Sequence, residues 1–349
     1  MKAAVLVEPR CLRVQSIPEP VVGPGEALVE IAACGVCGSD LRYFEGENPW
    51  AKHTLGYEKP NPPNMVLGHE VAGTVAGQRV ALLSFRGCGR CEQCRRGRVQ
   101  LCAHTAHLGH GAGWEGLDFN PGGMAERCAI WEEHAIPIPD HISLAEGTFL
   151  DGLGVAVHAA RRASIFPGDA FAVLGGGPIG LSIMQVAQAL GAGPGVVTDV
   201  YDAALECARE LGAAGAVDAR DADAGSLAAE LRGHAGEPNF GAVFESTGTL
   251  EGQLLGLSLL APGGTMMLMA GAAPGLTLTP GCLAGERTLT TCSNNLYEEY
   301  FIGLRLLAEG RVRVAPMITH RFPLDDVARA FEVATQKHET GAIKVVIEG

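Results

Sequence analysis

A strand, a glycine-rich turn and a helix follow one another at residues 170–190, and this succession constrains the fold more than any other feature. The apolar run Ala170–Leu174 leads into Gly175-Gly-Gly-Pro-Ile-Gly180, and Ile179–Leu190 has the composition of a helix. A G-x-G-x-x-G pattern is weak by itself in a chain with 48 glycines, but the strand before it and the helix after it supply the context that it requires. The pattern predicts a βα unit of an α/β domain.

The two halves of the chain predict different architectures. From about residue 154, strand-like runs alternate with helical segments, which indicates a parallel sheet flanked by helices. The predicted strands are 170–174, 196–199, 242–245 and 265–269, and the predicted helices are 179–190 and 203–211. The first 150 residues are β-rich, with short strands separated by Pro and Gly at 3–7, 27–33, 71–75 and 79–83. The tail predicts a helix at 300–309, another after Leu324 and a final strand at 342–347.

The glycine-rich turn predicts a dinucleotide site. Gly175 permits the tight turn, Gly177 lets backbone N–H groups approach a pyrophosphate, and Gly180 lets helix and strand pack closely. Asp199 ends the next strand, where a carboxylate binds the ribose hydroxyls and repels a 2′-phosphate. Since Val200, Tyr201 and Asp202 offer no cation, NAD is expected rather than NADP. The alternative is a purely structural glycine turn. The candidate cofactor-binding residues are Gly175, Gly177, Pro178, Ile179, Gly180, Asp199 and Thr247.

The bulk composition narrows the class of protein. With 349 residues, of which 47% are hydrophobic, the chain can form two domains. Its net charge of −13 argues against a nucleic-acid partner. The sequence has no apolar run of membrane-spanning length and no signal-peptide pattern. Eleven cysteines in such a chain indicate a reducing compartment, so a cytoplasmic location is expected.

Four cysteines form a compact cluster in one loop rich in Gly and Arg. Their C-x2-C-x2-C-x7-C spacing suits a zinc ion, which binds four thiolates at tetrahedral corners. The alternative is a pair of disulfides, which the expected reducing compartment disfavours. A closed site of this kind stabilises a loop and does no chemistry. The members are Cys88, Cys91, Cys94 and Cys102.

Two further motifs carry a family resemblance. They are Gly35-Val-Cys37-Gly-Ser39-Asp40 and Gly68-His69-Glu70, and each is weak alone. Together with the four cysteines, the glycine-rich turn, Asp199 and the closing Gly341-Ala-Ile-Lys344-Val, they resemble the zinc-dependent medium-chain dehydrogenase/reductase family, in the family's order and over nearly the whole chain. The resemblance implies a GroES-like catalytic domain at 1–153 and 293–349 and a Rossmann NAD-binding domain at 154–292.

The same resemblance implies a second, catalytic zinc, and thus two per chain. Its expected ligands are Cys37 and His69, together with Glu70, which matches a carboxylate that binds zinc directly or lies just behind it. Asp151 matches the last ligand position, which is usually a carboxylate or a second cysteine and is glutamate in polyol-type members. Zinc with one thiolate and two carboxylates carries an excess negative charge, which would weaken its power to acidify an alcohol. Since catalytic zinc keeps one position open, Glu70 or Asp151 is expected to leave or bind weakly when substrate arrives.

The implied reaction transfers hydride between a secondary alcohol and NAD. Cys37, Ser39, His69 and Glu70 are the expected catalytic residues, with Ser39 accepting the alcohol proton; the alternative is that Ser39 caps the helix beginning near Asp40. A family histidine that continues the proton path is replaced by Arg42, which cannot deprotonate. The path is expected through ribose hydroxyls or His53, and Arg42 is free to bind cofactor or substrate.

Polar residues near the expected metal favour a polyol, sugar or cyclitol. The candidates for substrate contact are Arg42, Asp151 and Asn294, and more loosely Glu45 and Asn295. An apolar pocket of Trp50, Trp114 and Phe149 would suit a simple secondary alcohol, and Asn294, Asn295 and Tyr297 could merely end a strand and cap a helix. The alternatives are a simple alcohol or threonine-type dehydrogenase, a zinc-free quinone or enoyl reductase, and a non-catalytic NAD-binding protein. The resemblance implies a homo-oligomer, a tetramer rather than a dimer, paired through a strand within 276–291.

Overall fold

A computed structural model describes residues 1–114, 116–270 and 275–349. The strands, in chain order, are β1 Lys2–Glu8, β2 Cys11–Ser16, β3 Glu26–Gly35, β4 Met65–Val66, β5 Glu70–Val75, β6 Gln78–Leu82, β7 Phe85–Arg86, β8 Ala106–His107, β9 Arg127–Trp131, β10 Ala135–Pro137, β11 Phe171–Leu174, β12 Gly195–Asp199, β13 Gly215–Asp218, β14 Phe240–Glu245, β15 Leu260–Leu268, β16 Thr288–Thr291, β17 Ile318–Pro323 and β18 Lys344–Glu348. The α-helices are α1 Gly38–Phe44, α2 Glu92–Arg95, α3 Leu144–Gly147, α4 Leu150–Arg162, α5 Pro178–Ala189, α6 Asp202–Glu210, α7 Ala224–Ala235, α8 Leu250–Leu259, α9 Tyr297–Ala308, α10 Val327–Thr335 and α11 Lys337–Thr340.

The chain divides into two compact units. The first comprises Met1–Asp151, Leu296–Tyr300 and Ile318–Gly349, and the second comprises Gly152–Asn295 and Phe301–Met317. Each predicted strand and helix lies within a few residues of an observed one. Within the described residues, no helix is long and apolar enough to cross a membrane.

The first unit is built mainly from antiparallel strands. Its largest sheet has the order β10-β6-β5-β3-β18-β17, with β9 also pairing with β3, and β2-β1-β4 form a second sheet. In the largest sheet, β17 and β18 run parallel to each other, and the other neighbouring strands are antiparallel. The strands bury alternating or continuous apolar residues against one core, which includes Val5, Val29, Leu67, Ile130 and Phe331.

The second unit is a six-stranded parallel sheet. Its order, β13-β12-β11-β14-β15-β16, places β11 at the centre. All four residues of β11 are buried, as expected for a strand covered on both faces. The order reverses direction after β11, so the carboxyl ends of β11, β12 and β14 meet at the edge where ligands bind in open α/β sheets.

Candidate active site and metal sites

The pairing of β3 with β5 brings the predicted catalytic metal ligands together. Cys37 is the N-cap of α1, shortly after β3, and His69 immediately precedes Glu70, the first residue of β5. Gly68 turns the chain into β5 with φ of 93°, and a Cβ there would lie 2.5 Å from Cys34 Sγ. Only glycine fits this turn. The sheet register, rather than any local spacing, therefore assembles the site.

Cys37, His69 and Glu70 each offer one donor atom, and these atoms lie within 4.8 Å of one another. His69 is 4% exposed and Glu70 is 5% exposed. His69 Nδ1 lies 3.7 Å from Asp40 Oδ1, beyond hydrogen-bond distance. Because the Asp40 carboxylate occupies the Nδ1 side of the ring, Nε2 is the nitrogen left for a metal. A partly exposed thiolate with a buried imidazole and a buried carboxylate in this arrangement fits a zinc ion.

Asp40 orients two of these groups. One carboxylate oxygen accepts a hydrogen bond from the backbone N–H of Cys37 at 2.9 Å, and the other from that of Gly68 at 3.1 Å. Burial lowers the pKa of His69, but the facing charges of Cys37 and Asp40 more than reverse this and raise the pKa well above its usual value. The pocket therefore favours a positive charge beside His69, as a metal-binding site should.

Lys344 forms a buried ion pair with Glu70. Its Nζ donates to Glu70 Oε2, and Lys344 is 3% exposed. Gly35 leaves room for the pair, since a Cβ there would lie 2.3 Å from Glu70 Oε2 and 2.8 Å from Lys344 Cε. Burial lowers the pKa of Lys344, but the charges of Glu70 and Cys37 outweigh it and raise that pKa.

The charge of Lys344 changes the expected balance at the metal. A zinc ion with the Cys37 thiolate and the Glu70 and Asp151 carboxylates would carry one excess negative charge. The positive charge of Lys344 cancels it. A metal held there keeps its power to acidify an alcohol even with both carboxylates nearby. Charge then gives no reason for a carboxylate to leave the metal. The remaining reason is coordination number, because a catalytic zinc keeps one position open for substrate.

Asp151 lies beside this group in the first turn of α4. Its Oδ2 is 3.9 Å from His69 Nε2, the nitrogen left for the metal, and its Oδ1 accepts a hydrogen bond from Ser84 at 3.0 Å. Burial raises the pKa of Asp151. The structure thus places Asp151 next to His69, with Ser84 fixing one of its oxygens, but the group of donor atoms within 4.8 Å of one another comprises Cys37, His69 and Glu70 without it.

Ser39 lies inside α1 rather than at its cap. Cys37 is the N-cap residue, so the alternative in which Ser39 caps this helix is wrong. Ser39 Oγ lies 3.4 Å from His110 Nε2. The predicted proton acceptor therefore has an imidazole beside it that the sequence argument did not consider.

His107 and His110 are the main residues that the sequence analysis missed. Their rings stack with centroids 3.9 Å apart, and the His110 ring lies 4.4 Å from that of His69. Burial lowers the pKa of both, that of His107 to about 3. The sequence does show two histidines three residues apart in a glycine-rich stretch. They lie 38 and 41 residues after His69, so nothing in the sequence indicates that they are its neighbours.

Arg42 and His53 form a separate contact. Arg42 Nη1 lies 3.3 Å from His53 Nε2. Burial, followed by the charges of Arg42 and Lys52, lowers the pKa of His53. The side chain found beside Ser39 is His110, and His53 is engaged with Arg42.

The other candidates for substrate contact are distributed over both units. In the first unit, Glu45 forms an exposed ion pair with Arg10, Trp114 donates to the His107 carbonyl, and the Lys344 ammonium lies 5.5 Å from the centre of the Phe149 ring. The indole nitrogen of Trp50 is buried without a hydrogen-bond partner among the described residues. Tyr297 starts α9 and accepts a hydrogen bond from Gly87 at 3.1 Å. In the second unit, the Asn294 side chain accepts hydrogen bonds from Asn295.

The four cysteines of the predicted structural site converge as expected. Their sulfur atoms lie within 4.8 Å of one another, and the Cys91 and Cys102 sulfurs are 3.8 Å apart. Tetrahedral zinc with Zn–S bonds of about 2.3 Å separates its sulfurs by about 3.8 Å. All eleven cysteines are free, so the disulfide alternative is wrong.

Backbone N–H groups stabilise negative charge in this loop. Those of Cys88, Cys91, Cys94 and His104 each donate to a cysteine sulfur at 3.3–3.5 Å. The N–H groups of Arg90 and Cys91 lower the pKa of Cys88 to about 6. Burial raises the pKa of Cys94 and raises that of Cys102 to about 12, so the loop by itself favours a thiolate at Cys88, and a bound cation would be needed to hold all four sulfurs as the thiolates that bind zinc.

The glycine-rich turn has the geometry expected of a dinucleotide site. Gly175 has φ of 105°, and a Cβ on Gly180 would lie 1.9 Å from the Gly175 carbonyl oxygen. A Cβ on Gly177, the N-cap of α5, would meet nothing within 4 Å. Pro178 and Ile179 begin α5, so its N-terminus faces an open cradle that a pyrophosphate would fit.

Asp199 and Thr247 lie at the same edge of the parallel sheet. Asp199 Oδ2 accepts a hydrogen bond from Gly176 at 2.6 Å, and Oδ1 accepts from Val200 and Tyr201. Thr247 follows β14 and donates to the buried Glu245. The carboxylate of Asp199 is therefore fixed against the glycine-rich turn.

Comparisons with known proteins agree with this architecture. Residues 23–140 match the alcohol dehydrogenase GroES-like domain family, and residues 178–309 match the zinc-binding dehydrogenase family. The chain is 29% identical to a sorbitol dehydrogenase of Bacillus subtilis, over 99% of this chain and 97% of that protein. It is 32% identical to an L-idonate 5-dehydrogenase of Vitis vinifera, over 99% and 93%. An Escherichia coli oxidoreductase of unknown specificity superimposes with a TM-score of 0.87 at 27% identity, covering 99% and 98%. These matches confirm the predicted pairing of a GroES-like domain with a Rossmann domain.

Proposed function

Because the chain belongs to the zinc-dependent medium-chain dehydrogenase/reductase family, we propose that it reversibly oxidises a secondary alcohol of a polyol, sugar or cyclitol with NAD. The observation that carries the proposal is the group formed by the partly exposed Cys37 and the buried His69 and Glu70, whose donor atoms lie within 4.8 Å of one another. This group combines three ligand types and leaves room for a substrate atom, as a catalytic zinc requires.

The reaction converts a secondary alcohol and NAD⁺ to a ketone, NADH and a proton. When bound, zinc lowers the pKa of the substrate hydroxyl and the nicotinamide accepts the hydride. Ser39 accepts the proton of the substrate hydroxyl while it gives up its own hydroxyl proton, for which His110 Nε2, 3.4 Å from Ser39 Oγ, is an adjacent acceptor. Cys37, His69 and Glu70 hold the metal, Asp40 orients His69, and Lys344 balances the charge of Glu70.

A bound zinc ion would take a fourth ligand, and a carboxylate and the substrate would compete for that position. Asp151 is the candidate to bind there when substrate is absent, because its Oδ2 lies on the Nε2 side of His69. Glu70 and Asp151 each have a second partner, Lys344 and Ser84, which can receive the carboxylate when it leaves. Glu70 can therefore withdraw to a buried cation, whereas Asp151 would keep a hydrogen-bond donor but no ionic partner.

NAD is the proposed cofactor, with NADP as the alternative. Gly175, Gly177, Pro178, Ile179 and Gly180 form the pyrophosphate cradle, and Thr247 lies at the same sheet edge. Asp199 binds the adenosine ribose, and its carboxylate repels a 2′-phosphate.

The substrate class follows from polar groups and from the relatives. Arg42, Asp151 and Asn294 are the proposed substrate contacts, and two of the matched proteins carry the names of enzymes for sorbitol and L-idonate. A simple secondary alcohol is the second candidate, supported by Phe149, which is buried beside Lys344.

The wider organisation is proposed on the same basis. Residues 1–153 and 293–349 are the proposed catalytic domain and residues 154–292 the proposed NAD-binding domain, whereas the compact units assign Phe301–Met317 to the second unit. We propose a cytoplasmic homo-oligomer, a tetramer rather than a dimer, that pairs through the edge strand β16. Light scattering of the purified protein tests the assembly, and a monomer would contradict it.

A substrate panel with both cofactors tests the proposed function. Polyols, cyclitols and monohydroxy secondary alcohols would be assayed with NAD and with NADP, alongside zinc analysis. We expect the highest kcat/KM for a polyol or cyclitol with NAD and two zinc ions per chain. Turnover without zinc would support a reductase of the zinc-free type, and NAD binding without turnover of any alcohol would support a non-catalytic protein.

A further inference from the structure

A guanidinium lies beside the ribose end of the parallel sheet. β12 and β13 run parallel with Asp199 paired with Asp218, and the Ala219 N–H donates to the Asp199 carbonyl at 2.9 Å. Arg220 is the next residue. No cation directly follows Asp199 in the sequence. The register of β12 and β13 places Arg220, 21 positions further along the chain, near Asp199.

Two aspartates hold Arg220. Its Nε and Nη2 donate to the carboxylate of Asp218 at 2.6–3.0 Å, and Nη2 also donates to Asp202 Oδ1 at 2.5 Å. Asp202 is the first residue of α6 and Asp218 the last of β13. Arg220 thus has its bidentate donors directed at a carboxylate, in the geometry that it would use for a phosphate.

We propose that Arg220 is a specificity residue for the cofactor and that Asp218 and Asp202 prevent it from binding a 2′-phosphate. This inference rests on the proposed function, in which Asp199 binds the adenosine ribose. Three carboxylates and one guanidinium leave this end of the sheet negative, so NAD is accepted and NADP repelled. The preference for NAD over NADP then depends on Asp218 and Asp202 as well as on Asp199.

The ion pairs are weak enough for one substitution to redirect the arginine. The side chains of Arg220, Asp218 and Asp202 are 44%, 42% and 69% exposed, and exposed pairs contribute little because water competes for both partners. A phosphate dianion is a stronger partner for a guanidinium than one remaining aspartate. Neutralising Asp218 should therefore free Arg220 for a 2′-phosphate once Asp199 is also removed.

Direct binding of NADPH and NADH, followed by their fluorescence, tests this without any need for turnover. Asp199→Ser should weaken NADH binding and improve NADPH binding only slightly. Adding Asp218→Asn should tighten NADPH binding about tenfold more, with a steeper loss of affinity on adding salt. Adding Arg220→Gln to that pair should remove the gain. The matched control is Asp199→Ser with Glu230→Gln, which makes the same charge change at an exposed position on α7.

The outcomes separate this inference from the proposed function. A gain with Glu230→Gln equal to that with Asp218→Asn, or a gain that survives Arg220→Gln, contradicts the role of Arg220 while NAD dependence stands. Unaltered protein that binds neither NADH nor NADPH contradicts the proposed function and this inference with it. Thermal melting of each variant checks that the fold is intact.

Discussion

The two candidate zinc sites differ in how they are built. The four-cysteine site takes four identical ligands from one loop of 15 residues, and most of its sulfurs are partly exposed. The site at Cys37 takes three different ligand types from separate segments and surrounds them with buried charged groups. Four thiolates with backbone N–H donors complete a metal's coordination and fix a loop. A mixed set with Asp40, Lys344 and Ser84 behind it suits a metal whose affinity and charge must be tuned for chemistry.

Replacing a ligand of the mixed site should produce the largest effect of all. Cys37→Ser removes a thiolate, so turnover should fall by at least about 10³-fold while the melting temperature changes little. Steady-state kinetics and thermal melting measure both quantities. Retained turnover in Cys37→Ser protein would contradict the assignment of this site to the chemistry.

Removing Lys344, the ion-pair partner of Glu70, should lower the stability of the protein. In protein from which the metal has been removed, Lys344→Met leaves the buried Glu70 carboxylate unpaired, and we expect a loss of about 3 kcal/mol in unfolding free energy. Chemical denaturation measures it. The double variant Lys344→Met, Glu70→Gln removes both charges and should recover part of the loss. No recovery would show that Lys344 acts through packing.

A substitution in the four-cysteine site should have the opposite profile to Cys37→Ser. Cys94→Ser should lower the unfolding free energy by about 2 kcal/mol and weaken assembly. The kcat of the folded fraction should stay close to that of the unaltered protein. Loss of turnover at unchanged stability and assembly would reverse the roles assigned to the two sites.

The smallest effect is expected at the carboxylate that Ser84 holds. Ser84→Ala removes one buried hydrogen bond to Asp151 and should cost about 1 kcal/mol of stability. If Asp151 leaves the metal when substrate binds, the loss of Ser84 should also raise KM, because the departing carboxylate loses its partner. A KM equal to that of the unaltered protein would argue that Asp151 does not move.

The two sites also show what a sequence can reveal. The four-cysteine site was predictable from spacing alone, because one loop supplies every ligand. Cys37 and His69 could be assigned only by resemblance, since β3 and β5 bring them together through sheet register. Lys344 was visible as part of a closing motif, but its pairing with Glu70 depends on β18 lying next to β3.

The same reasoning explains the residues that were missed. His110 lies 71 positions from Ser39 and Arg220 lies 21 positions from Asp199, and neither belongs to a motif that predicts this proximity. The glycine-rich turn and Asp199 were predictable because the βα unit places them locally. Groups that a single turn or loop assembles can be found in a sequence, whereas groups that tertiary pairing assembles need the structure.

Zinc stoichiometry tests the central claim most directly. Elemental analysis of purified protein should give two zinc ions per chain, falling to one in Cys37→Ser and to one in Cys94→Ser, with turnover lost in the first variant alone. One zinc ion per fully active unaltered chain, or turnover lost only in Cys94→Ser, would contradict the division of labour between the two sites.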